Sequence, residues 1–360
     1  MEQPHMSNVQ HLHSMKEFKD EYRELLVQFH RSIPFSKQEC APYPTVEKAV
    51  LDYFRAQGFS SDFIRRAYPA IKASCAIAVT TYAFVPAEVQ EVIATYTAFA
   101  ILIDDTTNVS IDDLRTFLAR LCGGQTQPNL LLRDMLRFIA DVIPRFYGPF
   151  ASDMIRKAIV EFISACVLET EYAGRITLAP TAPDFPYYLR QKTGMAEAYA
   201  FFAFPESLFP ENAFMPVYLP VIPGLVRYIN LANDVLSYYK ESVVGGERFN
   251  YTVNHAKSNN LKPVESLRET VASLNACAAN IRAALAEPDL PDSTDLQGAV
   301  TKLFSGYAVY HYSSARYRLS ELGIPELEAA KVSTDVPFDA LAYIDGGSVF
   351  DTPVRVEASR

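Results

Sequence analysis

The chain has 360 residues, 49% hydrophobic and 21% charged, with a net charge of −9 at neutral pH. That hydrophobic share is enough for a large core and excludes a disordered chain. The acidic balance excludes a nucleic-acid binder, which needs a clustered basic face. The 14 glycines are about half the usual usage, which favours helices over turn-rich sheet.

The five cysteines (Cys40, Cys75, Cys122, Cys166 and Cys277) are scattered, odd in number and free of any C-x-x-C pair. They read as reduced thiols. The histidines show no metal-ligand spacing, so no zinc site is signalled. The N-terminal stretch "MEQPHMSNVQHLHSM" has no apolar signal core, and no run approaches the ~20 apolar residues of a membrane span. A soluble cytoplasmic protein without stable membrane association is expected.

In chain order, Ser14 and Glu17 fit a capping box, with Phe18, Tyr22, Leu25, Leu26 and Phe29 at helical spacing behind them. "PTVEKAVLDYFRAQG" carries Pro and Thr at its start and Gly58 as its stop. Pro86 opens one long helix ending in "AFAILIDD". Asp112 and Asp113 are expected to cap the next helix, "LRTFLARL". Further helices are expected near 128–146, 151–173, 223–243, 263–287 and 294–321. The longest polar interruption is 242–262. No alternating strand pattern and no repeat appears. The fold class expected is all-α, a single domain over 14–340 with tails at 1–13 and 341–360.

Two stretches carry chemistry. On the helix from Pro86, Asp104 and Asn108 are i and i+4 and share a face, with Asp105 beside them. Carboxylates at a helix C-terminus oppose the negative end of the dipole. Either they end the helix in solvent or a divalent cation resolves the conflict, and hard Mg²⁺ takes a few carboxylates plus substrate phosphates. In "RYINLANDVLSYYKESVVGG", Asn233, Ser237 and Glu241 are i, i+4 and i+8, with Lys240 adjacent. They supply three oxygen ligands in line, or a polar face turned to water. Asn and Ser are mediocre helix formers, so their recurrence needs a reason.

The two stretches together resemble the aspartate-rich and N-D-x-x-S-x-x-x-E motifs of class I terpene synthases, and the chain most resembles the fungal trichodiene synthase family. "NDVLSYYKE" is similar to that family's second motif, "ARYRLSE" (315–321) to its C-terminal arginine–tyrosine element, and "DFPYYLRQKTG" (184–194) to its segment bearing the diphosphate-sensing arginine. Arg190 precedes Asn233 by 43 positions, which fits the family spacing. The resemblance covers roughly residues 45–325. Its one departure is Asn108, where the family usually has an acid.

The resemblance implies a helical bundle with a central active-site cavity that takes farnesyl diphosphate as substrate. It implies a Mg²⁺-dependent carbon–oxygen lyase that releases diphosphate and cyclises the remainder to a sesquiterpene hydrocarbon or alcohol. Asp104 would hold Mg²⁺ on one wall, with Asn108 a further candidate, and Asn233, Ser237 and Glu241 would hold it opposite. Three ions in all are expected. Arg190, Lys240, Arg316 and Tyr317 match the family's donors to diphosphate, and Asp105 is cast as a partner of Arg316. Asp104, Asp105, Arg316 and Tyr317 are the catalytic candidates. A homodimer is compatible with the family. From their positions, Tyr96, Phe99, Tyr199, Phe201, Phe202 and Tyr312 are candidates to line the hydrocarbon cavity, where aromatic faces stabilise a carbocation. The alternatives are a chain-elongating prenyl diphosphate synthase, normally with a second aspartate-rich motif at 233–237, and a non-catalytic helical homologue.

Overall fold

Thirteen residues of the helix from Ala87 to Asp104 are buried, an all-round burial that only a helix at the centre of a bundle has. The computed structural model describes residues 8–33, 43–105, 107–288, 293–332 and 339–345, and no strand occurs among them. The helices are α1 (Asn8–Ser32), α2 (Tyr43–Ala56), α3 (Ser61–Thr81), α4 (Ala87–Asp104), α5 (Ile111–Cys122), α6 (Leu130–Asp141), α7 (Pro149–Tyr172) and α8 (Phe185–Thr193). They continue with α9 (Ala196–Phe201), α10 (Glu211–Tyr218), α11 (Ile222–Tyr238), α12 (Tyr251–Ser258), α13 (Pro263–Leu285), α14 (Thr294–Ser313), α15 (Pro325–Ala330) and α16 (Ala340–Ile344). One hydrophobic core runs from Tyr22 on α1 to Ile344 on α16.

Local chemistry sets the helix ends. Ser60 caps α3 by accepting from the Phe63 amide at 3.2 Å. Asn129 caps α6 and also donates to the Asn108 carbonyl at 3.0 Å, tying the loop after α4 to α6. The N-terminus of α7 has no cap of its own. Its Phe150 and Ala151 amides donate to the Glu211 carboxylate of α10 at 3.0 and 2.9 Å, satisfying two orphan donors and the positive end of the dipole. Gly148 admits this carboxylate, because a Cβ there would stand 2.5 Å from it.

Several expectations are corrected. α1 starts at Asn8, so Ser14 lies inside a helix and not at its start. The cap of α5 is Ser110, which accepts from the Asp113 amide at 3.1 Å. Asp112 and Asp113 occupy its first turn, where their charge still complements the dipole. The 294–321 helix ends at Ser313, because Ser314 is extended and two 3-10 turns follow, separated by Arg318 at φ 58. The polar stretch 242–262 contains α12, whose Thr252, Asn254 and Ser258 are buried. α3 carries Pro69 in its interior, which hid it from the pattern. At the C-terminus α16 packs on α2 and α3 within the expected tail, Arg55 stacking on the Tyr343 ring at 4.3 Å.

The helical run Glu211–Val244 is apolar and long enough, by length and composition alone, to cross a membrane, contrary to the reading of the sequence. Half of its apolar window is buried within the structure. There α11 packs along α13 and α9, as the core helix of a bundle does.

Candidate active site

α11 is built from apolar residues on the sides facing α13 and α9, with Asn233 and Ser237 one turn apart on another. It runs into a π-helical turn, Tyr239–Val244, which carries Lys240 and Glu241. Such widened turns recur at functional sites. Ser237, fully buried, donates to Glu241 at 2.9 Å, so the two hold each other in place. Lys240 reaches the other Glu241 oxygen at 3.5 Å.

A cleft of about 500 Å³ opens here, lined by Asp104 at the end of α4, Glu169 of α7, Arg190 of α8, Asn233 and Asp234 of α11, then Lys240, Glu241 and Arg316. Thus Asp104, Arg190, Asn233, Lys240, Glu241 and Arg316, separated by up to 212 positions in sequence, meet in one space. Ser237 and Tyr317 do not line it: Ser237 is buried and reaches the cleft only through Glu241, and Tyr317 is buried with its ring 4.3 Å from that of His311.

Arg190 is the hub. Its Nε donates to Asp234 at 2.9 Å and its Nη2 to Asn233 Oδ1 at 2.9 Å. Asp234 is 6% exposed. Burial pushes its carboxyl up to about 6 against the pull of Arg190, and the guanidinium stays charged. An unpaired charge at this depth costs several kcal/mol, about 3–5 when one partner is removed. Gly194 follows α8, and a Cβ there would stand 2.0 Å from Asn230 Oδ1 and 2.7 Å from Arg190 Nη1. The chain then turns through Met195 at φ 48 into α9.

Asp104 is open to water yet recessed among protein atoms. Burial lifts its carboxyl above the ordinary range, against the Cys166 thiol at 3.7 Å and the charges of Arg316 and Lys240. Glu169 is pushed up to about 7 by burial, with the Asp104 charge adding to it and Arg190 opposing. Glu247, also lining the cleft, is raised by burial and by Glu241. These carboxylates share too little positive charge.

Two further expected members lie outside the cleft. The Asp105 carboxylate accepts from the Thr107 amide at 3.0 Å, and Asn108 Nδ2 donates to the Leu102 carbonyl at 3.1 Å. Neither lines the cleft; both close the end of α4, where carbonyls lack helical partners. The expected Asp105–Arg316 pair is not formed, and among the described residues Arg316 makes no ion pair. It is Asp104 that feels the Arg316 charge.

Reading the sequence missed Glu169, Glu247, Asp234 as the anchor of Arg190, and His311. No local signal separates Glu169 from Glu171, which pairs with Arg115 on the surface. His311 is fully buried and its pKa falls to about 4 through burial. The six aromatic candidates are all buried but point to different places. Phe99 packs with Tyr53, Phe54 and Phe138, Phe201 with Tyr218 and the exposed Phe150, and Tyr312 with His30, none of them lining the cleft. Tyr96, Tyr199 and Phe202 form one cluster, with Phe202 edge-on to both tyrosines. Tyr307 and Tyr310, not anticipated, flank His311 beside the cleft.

The fold is that of the class I terpene synthases. A solved structure of linalool/nerolidol synthase from Streptomyces clavuligerus has the same fold, with a TM-score of 0.55 and 13% identity, covering 76% of this chain and 97% of that one. Within the class, the family described as trichodiene synthase matches residues 57–335, and the chain belongs to that family. It is 44% identical to an (E)-beta farnesene synthase of Metarhizium brunneum over 86% of this chain and 92% of the relative. It is 31% identical to terpene synthase 29 of Postia placenta, over 79% and 80% respectively. The chain is a terpene synthase and so an enzyme, not a non-catalytic relative.

Proposed function

We propose that this sesquiterpene synthase ionises farnesyl diphosphate in the cleft, releases diphosphate and cyclises the carbocation to a hydrocarbon or alcohol. The observation that carries the reading is the meeting of Asp104 with Asn233, Glu241, Arg190, Lys240 and Arg316 around one space. We assign the catalytic domain to residues 14–340, with α16 at its C-terminal edge packed against α2 and α3.

The donor set fits Mg²⁺, a hard cation that prefers oxygen ligands and keeps positions for substrate phosphates. Asp104 and Glu169 are raised because burial outweighs the counter-charge that Arg316, Lys240 and Arg190 supply. No group of three or more His, Cys, Asp or Glu among the described residues could hold an ion alone, which accords with ligands split between two walls and completed by substrate. We assign Asp104 to one wall, Asn233, Ser237 and Glu241 to the other, and three ions to the loaded site. When bound, Mg²⁺ supplies Lewis-acid neutralisation of the leaving diphosphate.

The chain's own groups do the rest. Arg190, Lys240, Arg316 and Tyr317 donate to diphosphate oxygens and collect the charge that develops as the carbon–oxygen bond breaks. Asp104 is the acid that matters for catalysis; Asp105 and Asn108 serve the end of α4. The buried aromatic cluster keeps water from the carbocation. The free thiols Cys75, Cys122, Cys166 and Cys277 support a reducing, cytoplasmic setting.

A second reading concerns the product. The 44% relative is named a farnesene synthase, which favours proton loss before ring closure and an acyclic hydrocarbon. Incubation with farnesyl diphosphate and Mg²⁺, followed by gas chromatography–mass spectrometry, separates the two. A sesquiterpene from farnesyl diphosphate alone is expected. A longer diphosphate formed only when isopentenyl diphosphate is added would show a chain elongator instead.

A further inference from the structure

An asparagine serves a cation only through its oxygen, yet the two ends of its amide have nearly the same shape. Asn233 is such a residue, and its amide is gripped on both sides. Its Oδ1 accepts from Arg190 Nη2 at 2.9 Å, and its Nδ2 stands 3.2 Å from His311 Nε2. The other ring nitrogen, His311 Nδ1, is 2.8 Å from the Tyr307 carbonyl oxygen one turn earlier on α14.

A carbonyl can only accept, so Nδ1 must carry the ring proton. In a neutral imidazole the remaining nitrogen, Nε2, then has only its lone pair to offer. The group facing it must be a donor, so Asn233 is held with its NH₂ toward α14. Arg190 has no acceptor and enforces the same orientation from the opposite side. Both groups are one-way, and together they exclude the flipped amide. The rings of Tyr307, Tyr310 and Tyr317 pack around the imidazole at 4.6, 5.1 and 4.3 Å, and a ring flip would put carbon atoms in place of both nitrogens and lose both contacts.

We propose that His311 is a positioning residue that, as the Nδ1–H tautomer fixed by the Tyr307 carbonyl, locks the Asn233 amide with its oxygen toward the cleft. This rests on Asn233 being a metal ligand. Were Arg190 to turn from Asn233 to a bound diphosphate, His311 would remain as the hold that prevents the amide from flipping. It also links α14 to the metal-bearing α11, so the arginine–tyrosine turn packed on its ring shares one rigid unit with Asn233.

The test measures binding of Mg²⁺ plus inorganic diphosphate by calorimetry, alongside ligand-free melting. His311→Phe keeps ring bulk and removes the acceptor, and is expected to weaken binding about tenfold, the scale of outer-shell losses at metal sites. His311→Gln, which can donate to Tyr307 and accept from Asn233, is expected to recover most of that affinity. Unchanged binding in His311→Phe overturns the proposal, as does equal loss in both variants. If His311→Phe does not fold, the ¹⁵N spectrum of histidine-labelled wild-type protein is decisive, since an Nε2–H tautomer overturns the assignment. Asn233→Ala is the separate control. Wild-type affinity in that variant sinks the metal-ligand reading itself, whatever His311 does.

Discussion

At the scale of single residues, the site is an acid surplus held at low dielectric. Glu169 shows the consequence most directly, because burial and its neighbours push it up to about 7. A carboxyl raised on folding binds its proton more tightly in the folded chain than in the unfolded one. Its contribution is therefore full below the unfolded value near 4.5 and is lost as pH rises through about 7. Metal-free protein should lose stability over that window, and Glu169→Gln should flatten the loss. The variant gains of the order of 1–3 kcal/mol over wild type at pH 8, with one pKa unit worth about 1.4 kcal/mol. Denaturant melts at pH 5 and pH 8 without Mg²⁺ check this; parallel slopes in both proteins would show that Glu169 titrates normally. None of this was legible in "VLETEYAG", where Glu169 and Glu171 look alike. Their difference is what lies opposite, Asp104 for one and Arg115 for the other.

At the scale of elements, the break between α8 and α9 is where backbone and chemistry meet. Gly194 leaves room for Asn230 Oδ1 and Arg190 Nη1 in the place of a side chain. Gly194→Ala must move one of them, and Arg190 carries the bonds to Asp234 and Asn233. Turnover should fall by roughly 10²-fold, the scale of one lost charge-stabilising group. Stability should fall by only about 1–3 kcal/mol, as overpacking costs. Steady-state kinetics beside denaturant melts tests the pairing, and a variant with normal kcat would remove Gly194 from the site. The helices around this break differ in how plainly they read. α2, α4, α7, α11 and α13 followed from apolar spacing and Pro or Gly ends. α3, with Pro69 inside it, and α12, whose buried residues are half polar, did not, because tertiary packing overrides propensity in both.

At the scale of the whole molecule, the cleft joins helices from α4 to the turn after α14, and ligand binding must tie them together. Mg²⁺ with inorganic diphosphate should raise the melting temperature well beyond either alone, since only the pair neutralises both walls. Saturation at a hundred times Kd corresponds to about 2.7 kcal/mol. Excess chelator should reverse the rise, and no shift with the pair would contradict a metal–diphosphate site here. The amino-acid sequence alone determined which oxygen-bearing side chains share a helix face and their local geometry, because i, i+4 and i+8 on a helix is a property of the backbone period. It therefore placed Asn233, Ser237 and Glu241 on one face, and put Asp104 at an apolar helix's end. What only the tertiary structure decided was which charges face one another. Asp105 and Asn108 turn to the end of α4, Asp234 anchors Arg190, Glu169 joins Asp104, and His311 grips Asn233. Those pairings span 44 to 78 positions wherever they cross between helices. Burial and Coulomb energy depend on distance in space, which no local pattern encodes.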